Sequence, residues 1–334
     1  MVSLRDIGER VGCSASVVSA VLNGSGNGIR ASAETRQRIH DVANELGYVP
    51  NRLARGLRLS RNYLIGVIAA DLSSSFVPEI LSGIESYCLH SKYGVLLGAY
   101  SNDEQLKERW EGFIKRGVDG IICIGNSILY PQWARKYEMV KCVYVGDQSA
   151  AHSFGGIVQV DKNEVTRLAV KTFAEHGHCH IGYLTNYPVE MCGLWHEELL
   201  KHGMADGPVV HCYNFFDEGF VKATAMLSEH PELTGIFADS DVLGATIIAA
   251  ARNLGRLERL SVLGVDDSML CRFCDPELSS IRQPRCEQGK KAAEVLLKML
   301  DGGAPENVVL SASVVLRASM KNISGDRNGT LQNG

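Results

Sequence analysis

The sequence predicts a small all-α head followed by an α/β core of two lobes, each containing a doubly wound parallel sheet. The first 46 residues have helix-period apolar spacing in three short segments. From Tyr63 onward, short β-rich apolar runs alternate with amphipathic segments, the pattern of a parallel sheet covered on both faces. Nine such runs in about 220 residues exceed one compact unit, so we expect two similar lobes.

Each of the three predicted head helices has a start signal. Ser3, Ser14 and Ser32 precede the helical segments and can place a side-chain acceptor over the free N–H groups of the first turn. A turn centred on Gly12 joins the first two helices into a helix-turn-helix, whose second helix can enter a DNA major groove. One small core is expected from nine apolar side chains, namely Leu4, Ile7, Val11, Val17, Val18, Val21, Ile39, Val42 and Leu46.

The nine predicted core strands are apolar runs that end in polar or glycine residues. Where the carboxyl ends of strands from the two lobes face each other, we expect a ligand cleft. The runs are LIGVIAAD, GVLLGAY, GIICIG, CVYVGD, GIVQVD, IGYLTN, VVHCYN, GIFADSD and LSVLGVDD.

The composition is that of an ordinary folded protein. Among 334 residues, 45% are hydrophobic and 22% are charged, which excludes disordered and collagen-like classes. The chain has no uncharged apolar window long enough to span a bilayer and no signal-peptide pattern, so we predict neither membrane insertion nor secretion. Ten irregularly spaced cysteines indicate reduced, mostly buried thiols, and we expect a cytoplasmic protein.

Charge is distributed unevenly along the chain. Residues 1–61 hold nine arginines, no lysine and five acidic residues, a net charge of +4. The whole chain carries −4, which leaves −8 for the residues from Tyr63 onward. A basic head on an acidic body indicates that only the head meets a polyanion.

These segments resemble the lactose-repressor/galactose-repressor (LacI/GalR) family of bacterial transcription regulators from about Val2 to Ser319. Among the matching stretches are SLRDIGERVGCS, ELGYVPN followed by LARGL, HGHCHIGYL, LSVLGVDDS and LSSIRQPRCEQGKKAAEVLL. The resemblance implies a helix-turn-helix head, a hinge helix and a core like that of periplasmic sugar-binding proteins. It also implies a cytoplasmic homodimer that binds double-stranded operator DNA, most often as a repressor, and responds to a small-molecule effector such as a sugar or metabolite.

The resemblance divides the chain into four parts. Residues 1–49 are the DNA-binding head, 50–61 the hinge helix or linker and 62–320 the effector-binding core, while the polar, glycine-containing composition of 321–334 predicts a disordered tail. The first lobe is expected at about 62–161 and 282–303, and the second at about 162–281 and 304–320. The chain would therefore cross between the lobes near Asp161, Ile281 and Ala304.

The resemblance assigns DNA contacts to the head and hinge. The segment Ser14–Asn23 would be the recognition helix, and Leu57 would wedge into a central minor-groove step with help from the small Ala54. Positions where relatives carry long base-reading side chains hold Ala15, Ser16 and Ala20 here, so direct base readout should be weak. The full set of expected contacts is Arg5, Ser14, Ala15, Ser16, Ser19, Asn23, Arg30, Asn51, Arg52, Ala54 and Leu57, with the arginines and amides on phosphates.

The effector contacts are also implied by resemblance. Asp266 matches an acid that bonds ligand hydroxyls, although it could instead cap the helix that follows its strand, and Phe76 would form an aromatic wall. Glu190 stands where relatives have a ligand-gripping arginine, which should disfavour acidic effectors. Ser240 replaces a frequent asparagine, and Asn214 or Phe215 would form a further wall.

Other classes of protein fit the sequence less well. An enzyme that binds a nucleotide would need a glycine fingerprint after a strand, and the only dense cluster, Gly24–Gly28, follows a helix. Metal-site candidates are Cys271 with Cys274 and the histidine run from His176 to His180, which we interpret as an exposed turn. We therefore expect no catalytic residue, cofactor or metal. The alternatives left open are a sugar receptor without regulatory DNA binding and a regulator that has lost its effector response.

Overall fold

The computed structural model contains two units, Met1–Asn62 and Tyr63–Gly334. It describes residues 2–23, 31–48, 61–70, 72, 74, 76–125, 132–146, 155–186, 192–213 and 216–324. The expected hinge contacts Asn51, Arg52, Ala54 and Leu57, together with Arg30, lie outside the described residues.

The head consists of three short helices, α1 (Leu4–Val11), α2 (Ala15–Asn23) and α3 (Ala33–Glu45). Ser3 and Asp6 form a reciprocal capping box at the start of α1. Gly12 ends α1 with φ +80°, a left-handed conformation that glycine adopts without steric cost. Ser14 accepts from the Val17 N–H at 3.4 Å and Ser32 from the Thr35 N–H at 3.1 Å, so all three predicted caps are confirmed.

The small core of the head is the predicted one. Ile7, Val18 and Ile39 are fully buried, and the other six expected side chains pack with them. The helix-turn-helix is therefore held by apolar contacts among all three helices.

The core has two six-stranded sheets, which confirms the predicted pair of α/β lobes. The first lobe contains β1 (Leu64–Ala69), α4 (Val77–Leu89), β2 (Gly94–Ala99), α5 (Asp103–Lys115), β3 (Gly120–Ile124), a 3-10 turn (Gln132–Tyr137), β4 (Lys141–Val145) and β5 (Gly156–Val160).

The second lobe follows, and the chain then returns to the first. The second lobe contains α6 (Lys162–Glu175), β6 (Ile181–Thr185), α7 (Gly193–Lys201), β7 (Val209–His211), α8 (Asp217–Glu229), β8 (Gly235–Ala238), α9 (Asp241–Asn253), a 3-10 turn (Leu257–Arg259), β9 (Ser261–Val265), α10 (Leu270–Phe273) and β10 (Ser279–Arg282). The last elements are α11 (Arg285–Leu300), β11 (Asn307–Leu310) and β12 (Ser313–Val315).

Both sheets are parallel except where β12 runs antiparallel to β10. The strand orders are β11-β5-β4-β3-β1-β2 and β12-β10-β9-β8-β6-β7. Helix α11 packs mainly on α4, β4 and β5 of the first lobe, although the strand before it belongs to the second lobe.

The chain passes between the lobes three times. Two passages lie between β5 and α6 and between β10 and α11. The expected third passage near Ala304 is wrong, because β11 pairs in parallel with β5 and Asn307 lies opposite Ile157. This crossing comes after Leu310, and the segment 304–310 belongs to the first lobe.

Three strands, β10, β11 and β12, were not among the nine predicted runs. Strand β10 contains Ser279 and Ser280, both fully buried. Their hydroxyls donate to the Arg317 carbonyl and the Asp241 carboxylate. Apolar patterning therefore misses this strand, because hydrogen bonds satisfy its buried polar side chains.

The first residues of the predicted disordered tail belong to the second lobe. The Lys321 N–H donates to Ser261 Oγ at 2.9 Å, and the Ile323 N–H donates to the His176 carbonyl at 2.9 Å. The prediction of disorder is thus wrong for residues 321–324, and residues 325–334 lie outside the described part of the chain.

The histidine run is not a wholly exposed turn as expected. His178 is 1% exposed, with Nδ1 2.9 Å from Thr234 Oγ1 and Nε2 3.1 Å from the Lys321 carbonyl. Burial lowers the pKa of His178 to about 4, so this side chain is neutral and structural at neutral pH.

Candidate functional site

The outer surface of α2 presents small side chains. Ser14, Ala15 and Ser16 are exposed, and the Ser14 and Ser16 hydroxyl oxygens lie 2.8 Å apart. Ser19 is half-buried and Ala20 is 9% exposed. Asn23 is the last residue of α2, and its side chain lies outside the described part of the chain. The exposed start of α2 can therefore offer hydroxyl and methyl contacts but no long bidentate donor.

The cations of the head are accessible. Arg5 is 84% exposed and its Nε lies 3.5 Å from Glu9 Oε1, while Arg10 lies 3.0 Å from Glu45. Exposed pairs of this kind contribute only about 0–1 kcal/mol. A phosphate group could displace Glu9 from Arg5 at little energetic cost.

A cavity of about 460 Å³ lies between the two lobes. It is placed where strands of both sheets end: Ala70, Gly125 and Gly146 follow β1, β3 and β4, whereas Asp239 and Asp266 follow β8 and β9. This position is the usual ligand site of open parallel sheets. Phe76, Tyr183, Phe216 and Phe237 contribute aromatic surface to its walls.

Three of the five expected effector residues line this cavity. Phe76, Ser240 and Asp266 do so, whereas Glu190 and Asn214 lie outside the described residues. The Ser240 hydroxyl oxygen accepts from the Leu243 N–H at 3.2 Å and caps α9. Ser240 therefore has a structural role at the edge of the cavity.

Asp266 forms an ion pair across the cleft. Its Oδ1 accepts from Arg285 Nη2 at 2.6 Å and Nε at 3.2 Å, and from Gln283 Nε2 at 3.1 Å. The Asp266 and Arg285 side chains are only 7% and 8% exposed, and the Arg285 guanidinium lies 4.7 Å from the centre of the Phe76 ring. Since Arg285 begins α11 of the first lobe, the pair joins the two lobes.

Asp239 was not identified from the sequence. Its Oδ2 accepts from Thr185 Oγ1 at 2.8 Å and from the Asn186 N–H at 2.7 Å. Burial raises its pKa to about 6, although both hydrogen bonds act in the opposite direction. A search for acidic residues at strand ends could have found it, because Asp239 directly follows the apolar run GIFA.

Arg285 and Gln288 were also missed. Both belong to the first turn of α11 and line the cavity, and Arg285 Nη1 donates to Gln288 Oε1 at 3.1 Å. Their placement depends on β10 returning the chain to the cleft. Because apolar patterning does not reveal β10, it does not place these two residues at the cleft.

A second ion-pair group lies beside the crossing segments. Asp267 accepts from Arg282 at 2.6 Å and from Arg317 at 2.5 Å, and its side chain is 4% exposed. The group joins the end of β9 to β10 and to the chain that follows β12. It stabilises the second-lobe ends of the passages from β10 to α11 and from β11 to β12.

Metal and membrane features were also assessed. In the part of the chain that the structure describes, no group of three or more His, Cys, Asp or Glu side chains could hold a metal ion. Cys271 is fully buried, and burial raises the pKa of its thiol. No described helix has both the length and the apolar character needed to cross a bilayer.

Comparisons with known proteins match both parts of the chain. The family of bacterial regulatory proteins described as lacI family matches residues 3–51, and a periplasmic binding protein-like domain matches residues 170–320. The repressor CytR of Escherichia coli (strain K12) is 29% identical over 312 residues, which cover 90% of each chain. The probable transcriptional regulator EndR of Paenibacillus polymyxa is 27% identical over 339 residues, covering 92% of this chain and 94% of EndR.

One solved structure is similar to nearly all of this chain. The Lac repressor dimer bound to operator and the anti-inducer ONPF has a TM-score of 0.83 and 25% sequence identity. The match covers 96% of this chain and 99% of that one. The similarity therefore extends over the head and both lobes.

Proposed function

We propose that the chain is a lacI-family regulator that represses transcription as a dimer, and that its DNA affinity changes when a small polar molecule binds between its lobes. The observation that carries this proposal is the head itself. Its capped α1, the turn at Gly12 and the exposed start of α2 form a helix-turn-helix, and that segment lies within the match to the lacI family.

The proposed DNA contacts combine weak base readout with strong backbone contacts. Ser14, Ala15, Ser16 and Ser19 face the groove from α2, while Arg5 contacts phosphate. We propose further phosphate contacts from Asn23, Arg30, Asn51 and Arg52. Ala54 and Leu57 are proposed to enter the minor groove. Affinity then depends mainly on charge and on DNA bending.

Self-association is supported by an exposed apolar surface on the second lobe. Met269, which precedes α10, is 73% exposed, and Phe273 at the end of α10 is 78% exposed. Neighbouring exposed apolar side chains are a feature of protein–protein interaction sites. A second copy related by a two-fold axis covers this surface in our proposal, and it also supplies the second head that a symmetric operator requires.

The cleft is the proposed effector site. Its volume of about 460 Å³ fits a molecule the size of a sugar, and the three interlobe passages allow the lobe angle to change. Phe76, Glu190, Asn214, Ser240 and Asp266 remain proposed contacts, Asp266 where a ligand replaces Arg285 as its partner, and Asp239 and Gln288 are added. We place this regulator in the cytoplasm, where the DNA is, and assign it no catalytic activity.

A second candidate function is a regulator that no longer needs an effector. The buried pair of Asp266 and Arg285 favours it, because the acid expected to bind ligand hydroxyls already has a cationic partner from the opposite lobe. In that case the lobe angle is fixed by the protein alone.

In vitro selection from random duplex DNA tests the proposed function. The full chain should enrich a two-fold symmetric sequence, and the fragment 63–334 should enrich none. Equal recovery of all sequences by the full chain would contradict sequence-specific regulation. Equal enrichment by the two proteins would contradict the assignment of DNA binding to the head.

A further inference from the structure

Two buried polar atoms at the cleft have no protein partner among the described residues. The first is Asp239 Oδ1. Both donors that reach this carboxyl group, Thr185 Oγ1 and the Asn186 N–H, bond to Oδ2. A buried carboxylate oxygen without a donor is costly, and Asp239 is one of the residues that line the cavity, so a molecule bound there can supply the missing donor.

The second atom is Gln288 Nε2. Gln288 is fully buried, and its Oε1 accepts from Arg285 Nη1 at 3.1 Å. A guanidinium group has donors only, so the amide oxygen must face Arg285 and the NH₂ group must face away from it. Arg285 therefore determines the orientation of this amide, and the Gln288 NH₂ group is the donor that lacks a partner.

The two atoms have opposite character and come from opposite lobes. Asp239 follows β8 of the second lobe and offers an acceptor, whereas Gln288 lies on α11 of the first lobe and offers a donor. Both residues line the same cavity. A ligand that satisfies both atoms must contact both lobes at once, so its binding free energy depends on the angle between them.

We propose that Asp239 and Gln288 determine which effector binds, selecting a small polar molecule that donates a hydroxyl or amine hydrogen bond to Asp239 Oδ1 and accepts one from Gln288 Nε2. This inference rests on the proposed function, in which the cleft binds the effector.

The buried ion pair at the cleft does not offer a free charge to a ligand. Arg285 and Asp266 neutralise each other at 2.6 Å, so neither is available to a ligand without breaking a buried pair. The charge of Lys162 acts on Asp239 and lowers its pKa, whereas the charge of Asp266 raises it. The aromatic walls suit the apolar faces of a ring, which leaves recognition of its edges to Asp239 and Gln288.

Two near-isosteric substitutions test the proposal. Asp239→Asn keeps an acceptor for Thr185 and Asn186 but replaces the Oδ1 acceptor with a donor. Gln288→Glu keeps an acceptor for Arg285 but replaces the Nε2 donor with an acceptor. Asp206→Asn, on the exposed surface of the second lobe, is the matched control.

The probes are glucose, galactose and ribose, with their 2-amino and 2-deoxy analogues, tested on the full chain by thermal shift and calorimetry. At least one sugar should stabilise the wild type, and its deoxy analogue should bind more weakly if a hydroxyl is the donor. Tighter binding of the amino analogue would identify an amine donor. Each cleft variant should weaken binding of the preferred probe about ten- to hundredfold, the effect of one hydrogen bond to a charged or buried group, and Asp206→Asn should not.

Three results would overturn the inference. The first is that no probe in the panel stabilises the wild type. The second is that the cleft variants bind every probe as the wild type does. The third is that binding is lost only because the unliganded variants unfold. DNA selection with the same proteins separates this failure from failure of the proposed function, because a DNA-binding regulator with an unaltered probe response would refute only the roles of Asp239 and Gln288.

Discussion

At the scale of single residues, the ion pair of Asp266 and Arg285 joins the two lobes at the cleft. Both side chains are nearly inaccessible to water, so each depends on the other to offset its desolvation. The pair also connects a strand end of one lobe to a helix start of the other. Any change in the lobe angle must therefore stretch or replace it.

A double-mutant cycle tests this interdependence. Arg285→Gln and Asp266→Asn should each lower the free energy of unfolding by about 3 kcal/mol, because each leaves one buried charge without its partner. The double variant should recover much of this loss, measured by urea unfolding followed by circular dichroism. Losses that simply add would show that the two side chains do not depend on each other.

Asp239 should give the core a distinctive pH dependence. Burial raises its pKa from the ordinary 3.8 to about 6, so the native state holds the proton more tightly than the unfolded state. The resulting stabilisation is fully present below the unfolded pKa and is lost as the pH rises through about 6. Asp239→Asn removes this titration, so its stability relative to the wild type should rise by roughly 2 kcal/mol between about pH 4 and about pH 7.5.

Urea unfolding at several pH values measures this difference. Asp206→Asn controls for the loss of an exposed carboxylate on the same lobe. A relative stability of Asp239→Asn that is flat or falls with rising pH would show that Asp239 is not a buried, destabilised carboxylate.

The cleft residues that were predicted from the sequence share one feature. Phe76, Ser240 and Asp266 lie in segments that follow predicted strands, so strand ends and family resemblance together place them at the cleft. Arg285 and Gln288 reach the cavity because β10 returns the chain to the cleft. The buried serines of β10 interrupt the apolar pattern by which a strand is recognised in the sequence. Their roles depend on tertiary contacts that local sequence patterns do not encode.

At the scale of elements, the proposed DNA recognition combines contacts from α2 with contacts from the hinge segment. The exposed start of α2 offers two serine hydroxyls that already lie 2.8 Å apart and one alanine methyl group. Such groups bond to several base edges with little discrimination. Sequence preference should therefore come mainly from the cost of bending DNA around a minor-groove wedge.

Two alanine substitutions separate these contributions. Leu57→Ala should weaken binding to a selected duplex by about tenfold or more, because loss of the wedge removes the bend and its added phosphate contacts. Ser16→Ala should change binding only slightly. Fluorescence anisotropy on one labelled duplex measures both. Specificity that survives Leu57→Ala and collapses with Ser16→Ala would reverse the assignment.

Helices and long apolar strands were the most predictable elements. Serine caps, a glycine stop and 3.6-residue periodicity act within a few residues, so the sequence alone locates α1 to α3. The short strands β11 and β12 are only half-buried at sheet edges and carry little periodic signal. For that reason the third interlobe passage was placed several residues too early.

At the scale of the whole molecule, the proposed repression requires a dimer. Phe273→Arg places a charge in the proposed contact surface on α10 and should convert the dimer to a monomer at micromolar concentration. Leu200→Arg, at a 72% exposed position on α7, is the matched control and should remain dimeric. Sedimentation velocity distinguishes the two states. A Phe273→Arg protein that stays dimeric would place the interface elsewhere.

The division into a basic head and an acidic core was also readable from the sequence, because net charge is a sum over positions and needs no contacts. The sequence did not show how far the second lobe extends towards the end of the chain. Residues 321–324 look like a polar tail, but their backbone groups complete hydrogen bonds to Ser261, His178 and His176. Such long-range backbone pairing leaves no trace in composition.

The central claim is that two heads bind one duplex largely through its phosphates. The most direct measurement is the dissociation constant of the full chain for a selected duplex as a function of salt concentration, together with the mass of the complex. We predict two chains per duplex and a slope of log affinity against log salt of about −5 or steeper, as expected for six or more phosphate contacts. One chain per duplex, or a slope shallower than about −2, would contradict the account.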